Sequence, residues 1–403
     1  MATKIIPAIR TNEIKYAIRD IVVLANEVAK SGKEMLYLNI GDPNLYDFST
    51  PRHIIENTYK AMLKNKCGYA PSSGIPEAIN AIRIEAERKG IKNIQDIFIT
   101  TGASEAIELC LTALLNEGDN ILTPTPGYSL YTAVQSKLMA YENPYYLDEE
   151  NGWQPDVNDI KSKINKKTKG IILINPNNPT GSVCEENTLR EIIKLAKEHN
   201  LVIFADEIYD KLIIDEDKQF VSIASIDPEV PCITFGGLSK NYLAPGFRIG
   251  WGIVSGPKDI LEDYIEGINK MLRARLSANH PEQYAIKEAL LGDNSHLDDV
   301  IKKLKRRRNL TVEMLNSIDG ITCVKPEGAF YAFAKIELNG SDEDFVKALL
   351  KETGVVVVPG SGFGQKPGTK HFRVVFLPDE KTLEAAYKKI ADFYVKYRNE
   401  VDK

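Results

Sequence analysis

The sequence predicts an α/β fold. A large domain carries a mostly parallel sheet between helices, and a smaller α+β domain is built from both chain ends. Three observations carry this expectation. From Ile97 to Val254, short apolar runs bounded by turn residues alternate with stretches of helical period, the pattern of a parallel sheet. Beyond Pro257 the helices lengthen, and strands near Ile321, Phe330 and Val355 alternate with helices near Asp342 and Lys381, which is α+β patterning. The length, 403 residues, suggests two or three domain-sized units. The expected division is an arm and part of the small domain over 1–45, a large domain over 46–290, and the rest of the small domain over 291–403.

Composition bounds the function. Hydrophobic residues make up 43% and charged residues 27%, ordinary values for a soluble enzyme with a large core. A net charge of -5 argues against nucleic acid as a principal partner. No apolar run reaches membrane-spanning length, and the N-terminus has no signal-peptide core. The five cysteines are scattered and odd in number, so they read as reduced thiols of a cytoplasmic protein, several of them in the core. The five histidines have no metal-ligand spacing, and no metal is expected.

In chain order, a polar arm leads to an amphipathic helix through Val28. Leu36 to Ile40 is a short strand that stops at Gly41-Asp42-Pro43, a sharp turn. Helices are expected over Pro51–Lys64 and Pro76–Arg88, with the loop Gly68-Tyr69-Ala-Pro-Ser-Ser-Gly74 between them. The strand Ile97–Thr100 runs through Thr101-Gly-Ala-Ser104 into a helix that has Ala106, Leu109, Cys110 and Ala113 on one face. A strand, a turn of small residues and a helix start make an anion site, because the first amides lack intrahelical partners and the dipole favours negative charge. The bland reading is an ordinary βα unit.

Asn120–Leu122 is the next strand, followed by a Pro-rich turn and a helix from about Tyr128 to Leu138. After a strand near Tyr145, Gly170–Ile174 is strongly apolar and enters Asn175-Pro-Asn-Asn178-Pro-Thr-Gly181, whose prolines and asparagines demand a loop. Leu201–Ala205 is another buried strand with Asp206 at its end, where open α/β sheets place ligand-binding groups. A carboxylate there is costly unless paired; the bland reading is a helix cap. Cys232–Phe235 and Ile249–Val254 are strands around a loop that holds Ser239, Lys240 and, further on, Arg248. A lysine in a dehydrated setting has a lowered pKa and serves as a nucleophile toward a carbonyl. A hydroxyl and a fixed cation suit a phosphate. Taken alone, such a loop is more often a surface lysine beside a structural arginine. Later helices are expected over Lys258–Met271, Pro281–Leu291 and Ser295–Leu315. The basic run Lys302 to Arg308 reads as a solvated helix face. Gly360-Ser-Gly-Phe-Gly364 opens no helix and so is not a dinucleotide loop. Arg373 lies within the apolar strand His371–Phe376 and needs an anion.

In this order and at these separations, the segments around Asn175–Gly181, Asp206–Tyr209, Ser239–Arg248 and His371–Phe376 resemble the class I/II aminotransferases, which use pyridoxal 5′-phosphate (PLP). The resemblance runs from about Tyr16 to the last helix. Within the family it is greatest to the alanine aminotransferases of bacteria and archaea, through stretches such as Leu38-Asn-Ile-Gly-Asp-Pro43 and Arg275-Leu-Ser-Ala-Asn279. It implies that Lys240 bonds the cofactor and is the general base. It implies that Asp206 holds the ring nitrogen, Asn178 and Tyr209 the ring oxygen, and Tyr128 a ring face. Ala103, Ser104, Ser239, Arg248 and the neighbouring subunit's Tyr69 would anchor the phosphate, in a homodimer with shared active sites. Arg373, Asn178 and the Gly41 backbone would bind the substrate carboxylate, and Tyr16 would also bind the substrate. The expected reaction moves an amino group between alanine and 2-oxoglutarate, giving pyruvate and glutamate. Aspartate transamination is the alternative, and a PLP carbon–sulfur β-lyase is a further one. A PLP-sensing regulator would need a DNA-binding module, for which residues 1–35 are too short. Aspartate-specific relatives place a lysine where this chain has Ser104, which favours alanine. Arg19 and Arg275 are candidates for reading the distal carboxylate of glutamate.

Overall fold

The structure is a computed structural model that describes residues 4–14 and 17–401. Among the described residues there are fourteen strands: β1 (Leu36–Tyr37), β2 (Ile94–Thr100), β3 (Asn120–Thr125), β4 (Tyr141–Asp148), β5 (Gln154–Pro155), β6 (Thr168–Ile174), β7 (Val202–Asp206), β8 (Cys232–Gly237), β9 (Gly250–Ser255), β10 (Ile321–Cys323), β11 (Tyr331–Ile336), β12 (Val355–Val356), β13 (Val358–Pro359) and β14 (His371–Val375). The large sheet has the order β2-β9-β8-β7-β6-β3-β4-β5. Five neighbours, β8, β7, β6, β3 and β4, run parallel, while β9 and β5 are antiparallel to their partners.

The apolar strands are continuous because both faces are covered. Along β6, Ile171 and Leu173 join one hydrophobic core, and Ile172 and Ile174 join the other. Along β7, Ile203 and Ala205 face the first core and Phe204 the second. Helices Ala103–Leu114, Leu130–Lys137 and Lys258–Ala274 cover the second core, through residues such as Ile107, Val134 and Ile268. Helices Pro76–Arg88 and Glu186–His199 cover the first, through residues such as Ile82 and Ile192.

The second sheet has the order β10-β11-β14-β13, with antiparallel pairings. The N-terminal segment joins this region: β1 pairs in parallel with β12, and the Val375 amide donates to the Leu38 carbonyl at 2.9 Å. Helices His296–Asn316 and Glu380–Val401 flank the small sheet. The expected α/β fold with its smaller α+β part is therefore present. Local differences follow from turn chemistry. The helix expected from Tyr128 begins at Leu130, and the one expected over Pro281–Leu291 is two short helices, His280–Gln283 and Ala285–Leu291. Four of the five free cysteines are buried, and Cys67 is exposed.

Candidate active site

A cleft of about 590 Å³ opens where the carboxyl ends of the parallel strands meet the small sheet. Residues from every part of the chain line it, from Val22 to Arg373. Gly41, Ala103, Ser104, Tyr128, Asn178, Asp206, Tyr209, Ser239, Lys240, Arg248 and Arg373 all reach it. One expected residue does not. Tyr69 is 85% exposed on the loop between helices Arg52–Leu63 and Pro76–Arg88, away from its own chain's cleft. Tyr16 lies outside the described residues.

Lys240 sits on the β8–β9 loop. Its Nζ donates to the Gly41 carbonyl at 2.8 Å and lies 5.5 Å from the Phe330 ring centre. Burial lowers its pKa to about 8; the nearby Arg373 and Arg248 charges add to this, and Asp42 and Asp206 oppose it. An amine so placed reaches its neutral, nucleophilic form at a pH well below that of an ordinary lysine.

Asp206 ends β7 and is only 4% exposed. Desolvation pushes its pKa up to about 6. A hydrogen bond from the Tyr131 hydroxyl at 2.9 Å, the Ile208 amide at 3.4 Å and the Lys240 charge work against that rise. Tyr131, fully buried on helix Leu130–Lys137, is not legible as a site residue in the sequence, because a tyrosine in an apolar helix face looks like core.

The phosphate-type pocket is formed by the start of helix Ala103–Leu114, with Ser239 and Arg248 opposite. Gly102 occupies the N-cap position at φ 77°, and no side chain caps the helix. A Cβ on Gly102 would collide with the Arg248 guanidinium, and one on Gly250 with the Ala103 backbone. Backbone amides, a hydroxyl and a cation thus converge on a space kept open by two glycines, which fits a phosphate.

Arg373, 2% exposed on β14, donates from Nη1 to Asn178 Oδ1 at 3.1 Å and from Nη2 to the Asn39 carbonyl. Its guanidinium lies between the Tyr331 and Phe363 rings, 4.7 Å and 4.6 Å from their centres. With its oxygen committed to Arg373, Asn178 has its amide nitrogen left to donate into the cleft. The Tyr209 hydroxyl is 2.9 Å from that of Tyr331, a second cleft residue that sequence reasoning missed. Arg275 turns away: Nη2 donates to the Ile99 carbonyl at 2.6 Å and Nε lies 3.4 Å from Glu105.

A partly buried lysine, a buried carboxylate at a strand end, a phosphate cradle and a stacked arginine in one cleft are the groups of a transaminase. The model of the family "Aminotransferase class I and II" matches residues 33–390. The chain belongs to that family. This aminotransferase is 40% identical over 397 residues to the glutamate-pyruvate aminotransferase AlaA of Escherichia coli (strain K12), covering 96% of this chain and 97% of AlaA. It is 39% identical to the alanine aminotransferase of Mycobacterium bovis, covering 96% and 92% of the two chains. Among solved structures, the alanine aminotransferase from Pyrococcus furiosus superposes with a TM-score of 0.93 at 39% identity, covering 97% of this chain and 100% of that one. The α/β architecture is thus that of a fully matched aminotransferase.

Proposed function

We propose that this aminotransferase uses PLP to move the amino group of alanine to 2-oxoglutarate. The observation that carries the reading is the join, in one cleft, of the Lys240 amine, the Asp206 carboxyl and the Arg373 guanidinium with an apolar wall of Val22, Ile40 and Leu130. That wall suits a methyl side chain. The names of the relatives point the same way.

In this reading Ala103, Ser104, Ser239 and Arg248 hold the cofactor's phosphate, Asp206 its ring nitrogen, Asn178 and Tyr209 its ring oxygen, and Tyr128 one ring face. When bound, PLP supplies the electron sink for a carbanion at the substrate Cα. Lys240, neutral above about pH 8, would take the Cα proton onto its Nζ and hold it there for return. Asp206 would be kept ionised by a cationic ring nitrogen beside it, whose charge would offset the cost of its burial. Arg373 takes the substrate carboxylate in a bidentate pair, aided by Asn178 and the Gly41 backbone.

The same reading makes the working unit a homodimer in the cytoplasm. Tyr69 projects from its own chain, and Ile55, Tyr59, Met62 and Leu63 leave an apolar stripe exposed on the helix just before it. A second copy seated there would bring Tyr69 to the facing cleft's phosphate, reciprocally by two-fold symmetry. The pairing of β1 with β12 supports assigning 1–45 and 291–403 to the small domain and 46–290 to the large one. The test is steady-state kinetics with 2-oxoglutarate as acceptor. Alanine should have the higher kcat/KM, and turnover should stop without an acceptor; a higher value for aspartate would refute the alanine assignment.

A further inference from the structure

We infer that Tyr331 is a positioning residue that joins the two halves of the cleft, keeping Tyr209 a strong hydrogen-bond donor and Arg373 a fixed planar clamp. The inference rests on the reading above, in which Tyr209 faces the cofactor's ring oxygen and Arg373 the substrate carboxylate.

Tyr331 is 3% exposed at the start of β11, in the small sheet. It reaches three parts of the cleft at once. Its hydroxyl is 2.9 Å from that of Tyr209, which follows β7 in the large sheet, and the two rings meet edge to face at 88°. Its ring carries the Arg373 guanidinium 4.7 Å from its centre. Its hydroxyl also lies against Gly41, where any Cβ would strike it, and the Gly41 carbonyl is the acceptor for Lys240. The register explains how one side chain does this. Phe333 is directly opposite Arg373 on β14, so Tyr331, two residues away on the same face, is its diagonal neighbour.

The chemistry follows from counting hydrogens. One hydrogen lies between the two phenol oxygens. When an acceptor in the cleft takes the Tyr209 hydrogen, Tyr331 must donate to the Tyr209 oxygen. The donor chain then runs from Tyr331 through Tyr209 to the acceptor, and each bond polarises the next. Burial holds Tyr209 well above the usual phenol range, so it remains a donor rather than a phenolate. On the other side, an aromatic face under a guanidinium attracts it and limits its tilt. The hydroxyl therefore serves Tyr209 and the ring serves Arg373.

These two roles separate experimentally. Tyr331→Phe keeps the ring and removes the hydroxyl, while Tyr331→Leu removes both. The holoenzyme is titrated with alkali while the absorbance of bound PLP is followed. A weaker donor leaves the ring oxygen's negative charge less stabilised, so the chromophore holds its proton to higher pH. The loss of one ordinary hydrogen bond should raise the midpoint in Tyr331→Phe by about 0.3–1 pH unit. Tyr209→Phe, the control, should raise it more. The KM for alanine should stay near wild type in Tyr331→Phe and rise roughly two- to fivefold in Tyr331→Leu. An unmoved midpoint in Tyr331→Phe beside a raised one in Tyr209→Phe overturns the inference, including when Tyr331→Phe merely melts earlier. An unmoved midpoint in both variants overturns the placement of Tyr209 as well. Unchanged KM in a folded Tyr331→Leu protein removes the clamp role.

Discussion

Replacing Tyr131 with phenylalanine should make this protein's stability more sensitive to pH, and the cost can be worked from one contact. In the cofactor-free protein, Asp206 is buried with a pKa pushed up to about 6. Its folded pKa lies above its unfolded one. The group therefore favours the fold fully below about pH 4 and loses that advantage as pH rises toward about 6. A rise of that size is worth about 3 kcal/mol. The Tyr131 hydroxyl, 2.9 Å from Oδ2, is what keeps the penalty from being larger; the second bond, from the Ile208 amide, is 3.4 Å long. A hydrogen bond to a charged group contributes about 1.5–3 kcal/mol and one to the neutral acid about 1 kcal/mol, so Tyr131→Phe should raise the Asp206 pKa by about 0.5–1.5 pH units. At pH 5 the carboxyl is protonated in both proteins, and the variant loses a neutral hydrogen bond of about 1 kcal/mol. At pH 7 the wild-type carboxylate is ionised and the variant's is not fully so; the cost should be greater by about 1 kcal/mol, limited by proton uptake. Denaturant unfolding of the apoproteins at pH 5 and pH 7 gives the two costs. Contributions of other groups cancel between wild type and variant, and pH 7 stays below the Lys240 titration. A cost equal at the two pH values would mean that Tyr131 is packing alone and does not hold the Asp206 charge.

Three further outcomes are expected. In the apoprotein, acylation of Lys240 followed by peptide mapping should show a rate midpoint near pH 8, below that of the surface lysines, and a midpoint near 10.5 would contradict the lowered pKa. Because that pKa is lowered, the amine's burial also disfavours the fold below about pH 8, and this penalty is relieved as pH rises toward the unfolded value. Gly102→Ala combines a φ of 77° with a Cβ driven against Arg248, and should weaken PLP retention at least tenfold in equilibrium dialysis while the far-ultraviolet circular dichroism stays native. Mixing Tyr69→Phe subunits with Lys240→Ala subunits should restore activity through hybrid dimers that hold one native site; no recovery despite subunit exchange would assign Tyr69 to its own chain.

The sheet strands are legible in the sequence because their apolar runs are continuous, as strands covered on both faces must be. Asp206 and Arg373 are legible for the opposite reason: each is a charge in an apolar setting that core packing does not explain, whereas Lys240, on a loop, is legible only through the motifs that accompany it. Tyr131 and Tyr331 are hidden because each looks like core, and each acquires its role from a partner 75 or 122 residues away. Val22 is hidden for the same reason, since only the tertiary fold brings its helix over the cleft. The start of the helix after Tyr128 is obscured because the turn through Pro126 and Gly127 extends to Ser129.

The strand pairing of β1 with β12 joins residues 36–37 to residues 355–356, and the cleft it closes draws on side chains from Val22 to Arg373. This fixes when the protein can first work during its own synthesis. A chain still on the ribosome, with β14 not yet made, has Lys240 and Asp206 but lacks both Arg373 and the small-sheet wall. The central sheet can form early from neighbouring strands, but the pairing of β1 with β12 must wait until residues 355–356 have been made. A product that stops before β14 would therefore keep Lys240 and its lowered pKa without Arg373.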